Sequence, residues 1–294
     1  MPTKDLILER FSSLSPKLQV AARFVVDHPN EVVTMSMRSL AERARAHPAT
    51  LVRLAQQLGY AGWPELKEAF FVDLGLHPRS YGIRAKGLAG RGRDAGLLGE
   101  MFAAQRGNLD ATEARIAASL REAAKVLNHA RVVHVAGFRA SYPAAYSFAY
   151  GYRLFRDSVA LIDGHAGGVE MQTRNIGRQD AVVAISFAPY SREAMQVVDA
   201  GKAAGARIVA FSDSSASPLA LAADVAVFFS VDSPSFFPSV TAAIAVTEAL
   251  LEILVAGAGE GIARQIERAE QHLFESGAYL QPPTRRAAIG KQVR

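Results

Sequence analysis

Between residues 131 and 231 five short apolar runs recur with helical stretches between them: RVVHVAG, SVALID, DAVVAISF, ARIVAFSD and DVAVFFSV. Strands separated by segments long enough for a helix form βαβ units, and these assemble into a parallel sheet with helices on its faces. VVHVAG and AVVAIS are almost wholly apolar, as strands buried on both faces must be. YPAAYSFAYGYRLF, a short stretch after Gly167-Gly168, SREAMQVVDAGKAAG and SPLALAA supply the intervening helices. The expectation is a five-stranded parallel α/β/α domain. Two C-terminal helices over 239–276, TAAIAVTEALLEILVA and GIARQIERAEQHLFES, are expected to serve packing and self-association.

Before residue 131 the period is helical. Leu14, Leu18, Ala21, Ala22 and Val25 recur at helical spacing in LSPKLQVAARFVVDHP. Ser15 and Pro16 read as N-cap and first helical residue, and His28-Pro29 ends that helix. Ser36 caps SMRSLAERA, a third helix runs from Pro48 to Leu58 and stops at Gly59, and a fourth follows Trp63-Pro64. Residues 75–96, rich in Gly and Arg, show no period and read as an exposed linker. A helix over about Leu97 to Asn128 then leads into the sheet. The fold class is α + α/β. The divisions are 1–80 for a helical domain, 81–128 for a linker and connecting helix, 129–276 for the α/β domain and 277–294 for a basic tail.

Composition narrows the function. Net charge is +5, but residues 1–85 carry +3 and 131–284 carry −4. A basic helical module suits a polyanion such as DNA. Cysteine is absent, which removes disulfides and thiolate metal sites and suits a reducing cytoplasm. No run of ~18 apolar residues occurs and the start lacks an apolar leader, so the expected location is the cytoplasm, without a membrane partner.

SMRSLAERARAHPATLVRLAQQLGYAGW reads as a helix-turn-helix. On its second helix Leu51, Leu54 and Leu58 share an inward face, while Thr50, Arg53 and Gln57 share another, with Gln56 adjacent. Arg pairs bidentately with guanine, Gln with adenine, and the Thr methyl meets the thymine methyl. Arg45, His47 and Pro48, in the turn and at the helix start, complete the expected DNA-binding set, because a recognition helix presents its N-terminal part to the groove and its free N–H groups to phosphate.

Ser39-Leu40-Ala41, Thr50-Leu51-Val52-Arg53, Leu58-Gly59-Tyr60, Gly62-Trp63 and Glu65-Leu66-Lys67 resemble the N-terminal domain of RpiR-family transcription regulators. The turn departs from that pattern: Arg45, Ala46 and His47 stand where such proteins carry a small residue and then Val-Ser, and His47 is the poorer N-cap. Residues 115–260 resemble the SIS (sugar isomerase) domain of the same family, through three loops at strand C-terminal ends, where open α/β sheets bind ligands. Gly137 and Ser141 match Gly-x-Gly-x-Ser, with Arg139 in place of the second glycine as a cation for an anionic ligand. Ser186 and Ser191 match Ser-x-Ser-Gly-x-Thr/Ser, the phosphate cradle of such domains, with Ala188 and Pro189 removing a hydroxyl and an N–H. Ser212-Asp213-Ser214-Ser215-Ala216-Ser217-Pro218-Leu219-Ala220 matches a third stretch.

The resemblance implies an effector, a phosphosugar or another polar metabolite. The pocket residues expected are Gly137, Arg139, Ser141, His165, Ser186, Tyr190, Ser191, Ser212 and Ser214. It also implies a homodimer or tetramer on operator DNA and no cofactor. The competing expectation is an aldose–ketose isomerase, which needs a base over the substrate carbon. His134, His165, Glu170 and Glu248 are candidates, but none sits in a catalytic motif, and no HExxH or Asp-rich loop points to a metal.

Overall fold

The computed structural model describes residues 2–73, 81–165, 168–259 and 261–280. Its N-terminal part is a cluster of short helices: α1 (Thr3–Arg10), α2 (Pro16–Asp27), α3 (Pro29–Thr34), α4 (Met37–Arg43), α5 (Pro48–Gln57) and α6 (Trp63–Asp73). Proline opens α2, α3 and α5 at positions whose N–H has no intrahelical partner. Pro29 therefore does two things: it ends α2, as expected, and it starts α3, a short helix to which the sequence reading assigned no element. Leu18, Ala21, Ala22 and Val25 of α2 meet Leu40 and Ala41 of α4, Leu51 and Leu54 of α5, and Trp63, Leu66 and Phe70 of α6. Full burial of each large side chain contributes about 1.5–3 kcal/mol.

The expectation of an exposed linker without periodic structure over 75–96 needs correction in one respect. Residues 74–80 lie outside the described part, but α7 (Tyr81–Leu88) is a helix, followed by a short 3-10 turn over Arg91–Arg93. α7 has no buried face of its own. It is held from outside, by Arg84 donating to the Ser233 carbonyl and by the Tyr81 ring 5.1 Å from that of Phe237. α8 (Gly96–His129) then runs the full length expected of the connecting helix. Its Asn108 exchanges hydrogen bonds with Asp232 (2.7 and 3.0 Å), and Thr112 Oγ1 accepts from Ser230 N (3.0 Å), which fixes the segment after the last strand.

The α/β half contains β1 (Val133–Gly137), α9 (Tyr142–Arg153), β2 (Val159–Ile162), α10 (Gly168–Thr173), β3 (Ala181–Ile185), α11 (Arg192–Ala203), β4 (Arg207–Ser212), α12 (Pro218–Ala222), β5 (Val225–Phe228), α13 (Thr241–Gly257) and α14 (Gly261–Glu275). The sheet is five-stranded and all parallel, in the order β2-β1-β3-β4-β5, as the five apolar runs require. Alternate residues feed two cores. Val133, Val135, Val183 and Val209 face α8, α9 and α13, while Ala136, Val182, Ala184 and Ile208 face α11 and α12. Strand order reverses between β1 and β3, so the loops leaving them diverge and open a crevice at their C-terminal ends. Among the described residues no helix is long and apolar enough to cross a membrane.

At the opposite, N-terminal end of the central strands sits a buried charge. Asp180, just before β3, has a fully buried side chain whose Oδ2 accepts from Gly177 N (2.8 Å) and Arg131 Nη2 (3.0 Å) and lies 3.2 Å from His134 Nε2. Burial pushes its pKa up, but the Gly177 N–H, His134 and Arg131 outweigh that and hold it below the usual aspartate range. His134 is thereby committed to a structural partner, away from the loops at the other end of the strands.

Candidate functional site

The first candidate surface is α5 and the turn before it. Ser36 caps α4 through Ser39 N (3.1 Å). α4 ends with Arg45 N bonding to Glu42 O and Ala46 N to Ala41 O, and Arg45 lies at φ +50°. This is the Schellman pattern, with arginine at the left-handed position that glycine ordinarily fills. α5 ends in the same way, Gly59 N to Gln56 O and Tyr60 N to Ala55 O, with Gly59 at φ +96°. Two tight turns thus frame one helix. Leu51 and Leu54 are fully buried and Leu58 nearly so, which leaves Arg53, Gln56 and Gln57 exposed and Thr50 half-buried beside them. Arg45 and His47 are also exposed, and His47 makes no side-chain cap to the helix it precedes, so the first turn of α5 keeps its N–H groups uncapped by that side chain.

The left-handed arginine carries a measurable penalty. An L-residue there costs about 1–2 kcal/mol, partly offset by the greater backbone freedom that glycine loses on folding. Arg45→Gly is expected to stabilise the helical domain by about 0.5–1 kcal/mol. Urea unfolding followed by fluorescence of Trp63, the one tryptophan, checks this, because that ring lies in the helical core. A fall in the midpoint would contradict the strain argument.

The second candidate surface is the crevice at the strand C-termini, where three loops converge. After β1, Gly137 leaves no room for a side chain: a Cβ there would stand 2.7 Å from that of Ala145 and 2.8 Å from Ser141 O. Arg139 follows at φ +53°, largely exposed, with Nη2 2.7 Å from Glu193 Oε1 of α11. Ser141 is buried. After β3, Ser186 Oγ accepts from Ser191 N (3.1 Å), and Ser191 Oγ caps α11 through Ala194 N (3.1 Å). Both hydroxyls accept from backbone and keep their own O–H free to donate. After β4, Ser212 Oγ donates to Ser186 O (2.8 Å), tying the third loop to the second. Ser214 Oγ accepts from Ala216 N (3.1 Å), and Ser217 caps α12. Tyr190 O–H donates to Asp213 Oδ1 (2.9 Å), and Ala188 N donates to Asp213 Oδ2 (3.3 Å).

The loops after β1, β3 and β4 therefore place Gly137, Arg139, Ser141, Ser186, Tyr190, Ser191, Ser212 and Ser214 at one end of the sheet. His165 is exposed in the segment after β2, its backbone N–H bonded to Asp163 Oδ1 (2.9 Å), and among the described residues no side-chain hydrogen bond ties it to the others. Asp213 was not among the expected pocket residues, yet it is the carboxylate on which two loops converge. Of the other candidate bases, Glu170 pairs with Arg174 on the surface and Glu248 is exposed on α13. Among the described residues no group of His, Asp and Glu could hold a metal ion.

Comparison with known proteins decides the family. The model of the rpiR-family helix-turn-helix domain matches residues 3–74, and that of the SIS domain matches 126–253. The chain belongs to the RpiR family. An uncharacterized HTH-type transcriptional regulator of Caldanaerobacter subterraneus subsp. tengcongensis is 25% identical over 234 residues, 79% of this chain and 81% of that one. The bifunctional protein glk of Burkholderia mallei is 27% identical over 75% of this chain, but the match spans only 34% of that longer protein. Among solved structures, the sugar isomerase domain of an RpiR transcription factor from Sphaerobacter thermophilus superposes with a TM-score of 0.55 at 22% identity, covering 63% of this chain and 99% of that one. The Vibrio vulnificus NanR protein complexed with ManNAc-6P gives a TM-score of 0.56 at 19% identity, covering 93% and 100%. Both likenesses speak to the fold, the first over the sugar isomerase domain and the second over nearly the whole chain. The chain is thus a transcription regulator by family.

Proposed function

We propose that this regulator binds a specific operator through α5 and changes its operator affinity when a small anionic carbohydrate derivative occupies the crevice at the strand C-termini. The observation that carries the reading is the exposed Arg53, Gln56 and Gln57 face, on a helix whose leucines are buried and whose two ends are fixed by tight turns. A rigidly held row of guanidinium and amide side chains is what base-edge readout in the major groove needs. Arg45, His47 and Pro48 flank it on the phosphate side.

For the effector, the free O–H groups of Ser186 and Ser191 and the charge of Arg139 suit an anion, and Asp213 suits a ligand hydroxyl. A phosphosugar joins both chemistries, as in the ManNAc-6P complex of NanR. Titration calorimetry with a panel of hexose and N-acetylhexosamine phosphates, ManNAc-6P included, tests it. Ser186→Ala is expected to weaken binding of whichever sugar phosphate binds by at least about tenfold, the loss of ~1.4 kcal/mol or more in one hydrogen bond to a charged group. A panel with no binder to the wild type would overturn the phosphosugar reading.

The chain acts by binding rather than by catalysis on this reading. The crevice presents Asp213 already engaged by Tyr190 and Ala188, whereas His134, Glu170 and Glu248 are committed elsewhere or lie outside it. The reading places the protein in the cytoplasm, as a two-fold dimer or a pair of dimers. α14 is strongly amphipathic but has no fully buried residue: Ile262, Ile266, Ala269 and Leu273 form an apolar stripe that stays half-exposed. Tyr142, Tyr146 and Tyr150 make an exposed ladder along α9, and Tyr150 reaches Tyr279, just past α14, at 2.7 Å. A second copy of the same surface is the occupant that two-fold operator symmetry calls for. The operator selection described in the Discussion reports on it, since a two-fold dimer selects an inverted repeat. The proposed divisions stay at 1–80, 81–128, 129–276 and 277–294, the last falling mostly outside the described residues.

A further inference from the structure

The crevice loops touch more than each other. The Tyr190 ring packs against two cores at once, that of the sheet with α11 and that of the DNA-binding helices. Ala216 of the third loop also packs against the DNA-binding core. α12, which Ser217 caps at the end of that same loop, lies against α3. The DNA-binding domain is therefore seated on the segments 188–190 and 214–222, which are the two crevice loops and the helix one of them starts.

We propose that this seat is the switch: Tyr190 latches the DNA-binding domain onto the crevice loops, so that effector binding and domain docking draw on the same residues. The inference rests on the function proposed above and adds the regulatory contact within it. Tyr190 lies between Ser186 and Ser191, and its O–H is tied to Asp213 of the neighbouring loop. A ligand hydroxyl that takes Asp213 Oδ1 competes with the Tyr190 O–H for it and so loosens the tie that holds the ring. Burial and the Asp213 charge push the Tyr190 pKa far above the usual tyrosine value, so the hydroxyl stays a donor across working pH.

The seat is small enough to be released. Beside it the domains part, leaving an open cleft of about 760 Å³ with His28 and Arg43 on one wall and Met195 and Lys202 on the other. Away from the cleft, which Asp27, Glu31 and Asp199 also line, one like-charge pair spans the two domains. Arg192, the first residue of α11, acts on Lys67 of α6; burial and then the Arg192 charge hold the Lys67 pKa below its usual value. Electrostatic repulsion weakens the apolar contact it opposes, and a contact so weakened is easier for a ligand with differential affinity for the two arrangements to release.

Hydrogen–deuterium exchange on the full chain, without effector or DNA, tests the latch. In Tyr190→Ala, amides of 30–34 and 219–222 are expected to exchange at least tenfold faster, with those of β3 unchanged. In Arg192→Glu, which turns the repulsion into an attraction and leaves every packed side chain in place, the same amides are expected to exchange more slowly than in the wild type. Unchanged exchange in both variants would overturn the proposal. Equal acceleration across β3 in Tyr190→Ala would assign the ring to its own domain alone, and would overturn it too. None of these readouts needs an operator or an effector, so failure of the latch and failure of the regulator reading are told apart.

Discussion

Asp180→Asn is expected to destabilise the α/β domain by about 3 kcal/mol at pH 7, the scale of breaking a buried, multiply bonded charge by changing one partner. The substitution keeps the shape and removes the charge. The amide carbonyl oxygen can still take the place of Oδ2, which accepts from Gly177 N and Arg131 and faces His134, but as a neutral and weaker acceptor, and the amide NH2 then lies in the buried place of Oδ1, which has no partner among the described residues. Arg131 is exposed and can turn to water, so most of the cost falls on the buried His134 and the loop N–H. The pH dependence has a fixed sign. A carboxyl held below its unfolded pKa contributes stability that is present above the unfolded value, near ~3.9, and is lost as pH falls through the lower folded value. The gap between wild type and variant should therefore be full at pH 7 and shrink below about pH 4, where the protonated carboxyl comes to resemble the amide. Urea unfolding by circular dichroism at several pH values measures the gap. Trp63 fluorescence reports the helical domain separately and should not move. A gap independent of pH would show that Asp180 contributes through shape and not through charge.

What could be read in the sequence, and what could not, divides along the distance over which each feature is determined. The leucine spacing of α5 and the glycine at 59 are local signals, and the helix with its end stands where they put it. The five strands were legible for the same reason: a strand buried on both faces must be apolar throughout, whatever covers it. The turn before α5 was legible but its left-handed residue was not, because that residue is Arg45 and not the glycine or asparagine that normally marks such a position. α7 was missed because its sequence has no apolar face, and what holds it is an arginine and a tyrosine reaching residues about 150 positions onward. Asp213 escaped for a related reason. The hydroxyls around it announce a ligand loop, but its partners Tyr190 and Ala188 come from another loop, and only the strand order β1-β3-β4 brings the two together. The conflict at Arg45 is itself informative. A strained, exposed cation in the turn before α5 breaks a local rule, and such breaks concentrate at functional surfaces, which agrees with the proposed role of α5.

Arg53→Ala is expected to weaken specific operator binding by about 1–3 kcal/mol, roughly 5- to 150-fold, while leaving non-specific binding nearly unchanged. The side chain is exposed, and its neighbours Leu54 and Leu51 carry the packing, so the loss should appear in recognition and not in folding. Selection of genomic fragments on the full chain at near-physiological salt, wild type beside the variant, reads both terms. The wild type should enrich an inverted repeat whose half-sites lie about 10 bp or a multiple apart, because a two-fold dimer presents two copies of α5 along one face of the duplex. The variant should lose the enrichment chiefly at one base position per half-site, the guanine that a bidentate guanidinium reads. Arg45→Gly supplies the contrast. A phosphate contact carries no sequence information, so its loss should lower affinity evenly across sequences and reduce the salt dependence by about one counterion. If Arg53→Ala behaved like Arg45→Gly, falling evenly with a shallower salt slope, then Arg53 would sit on the backbone and base reading would pass to Gln56 and Gln57, the remaining exposed residues of that face.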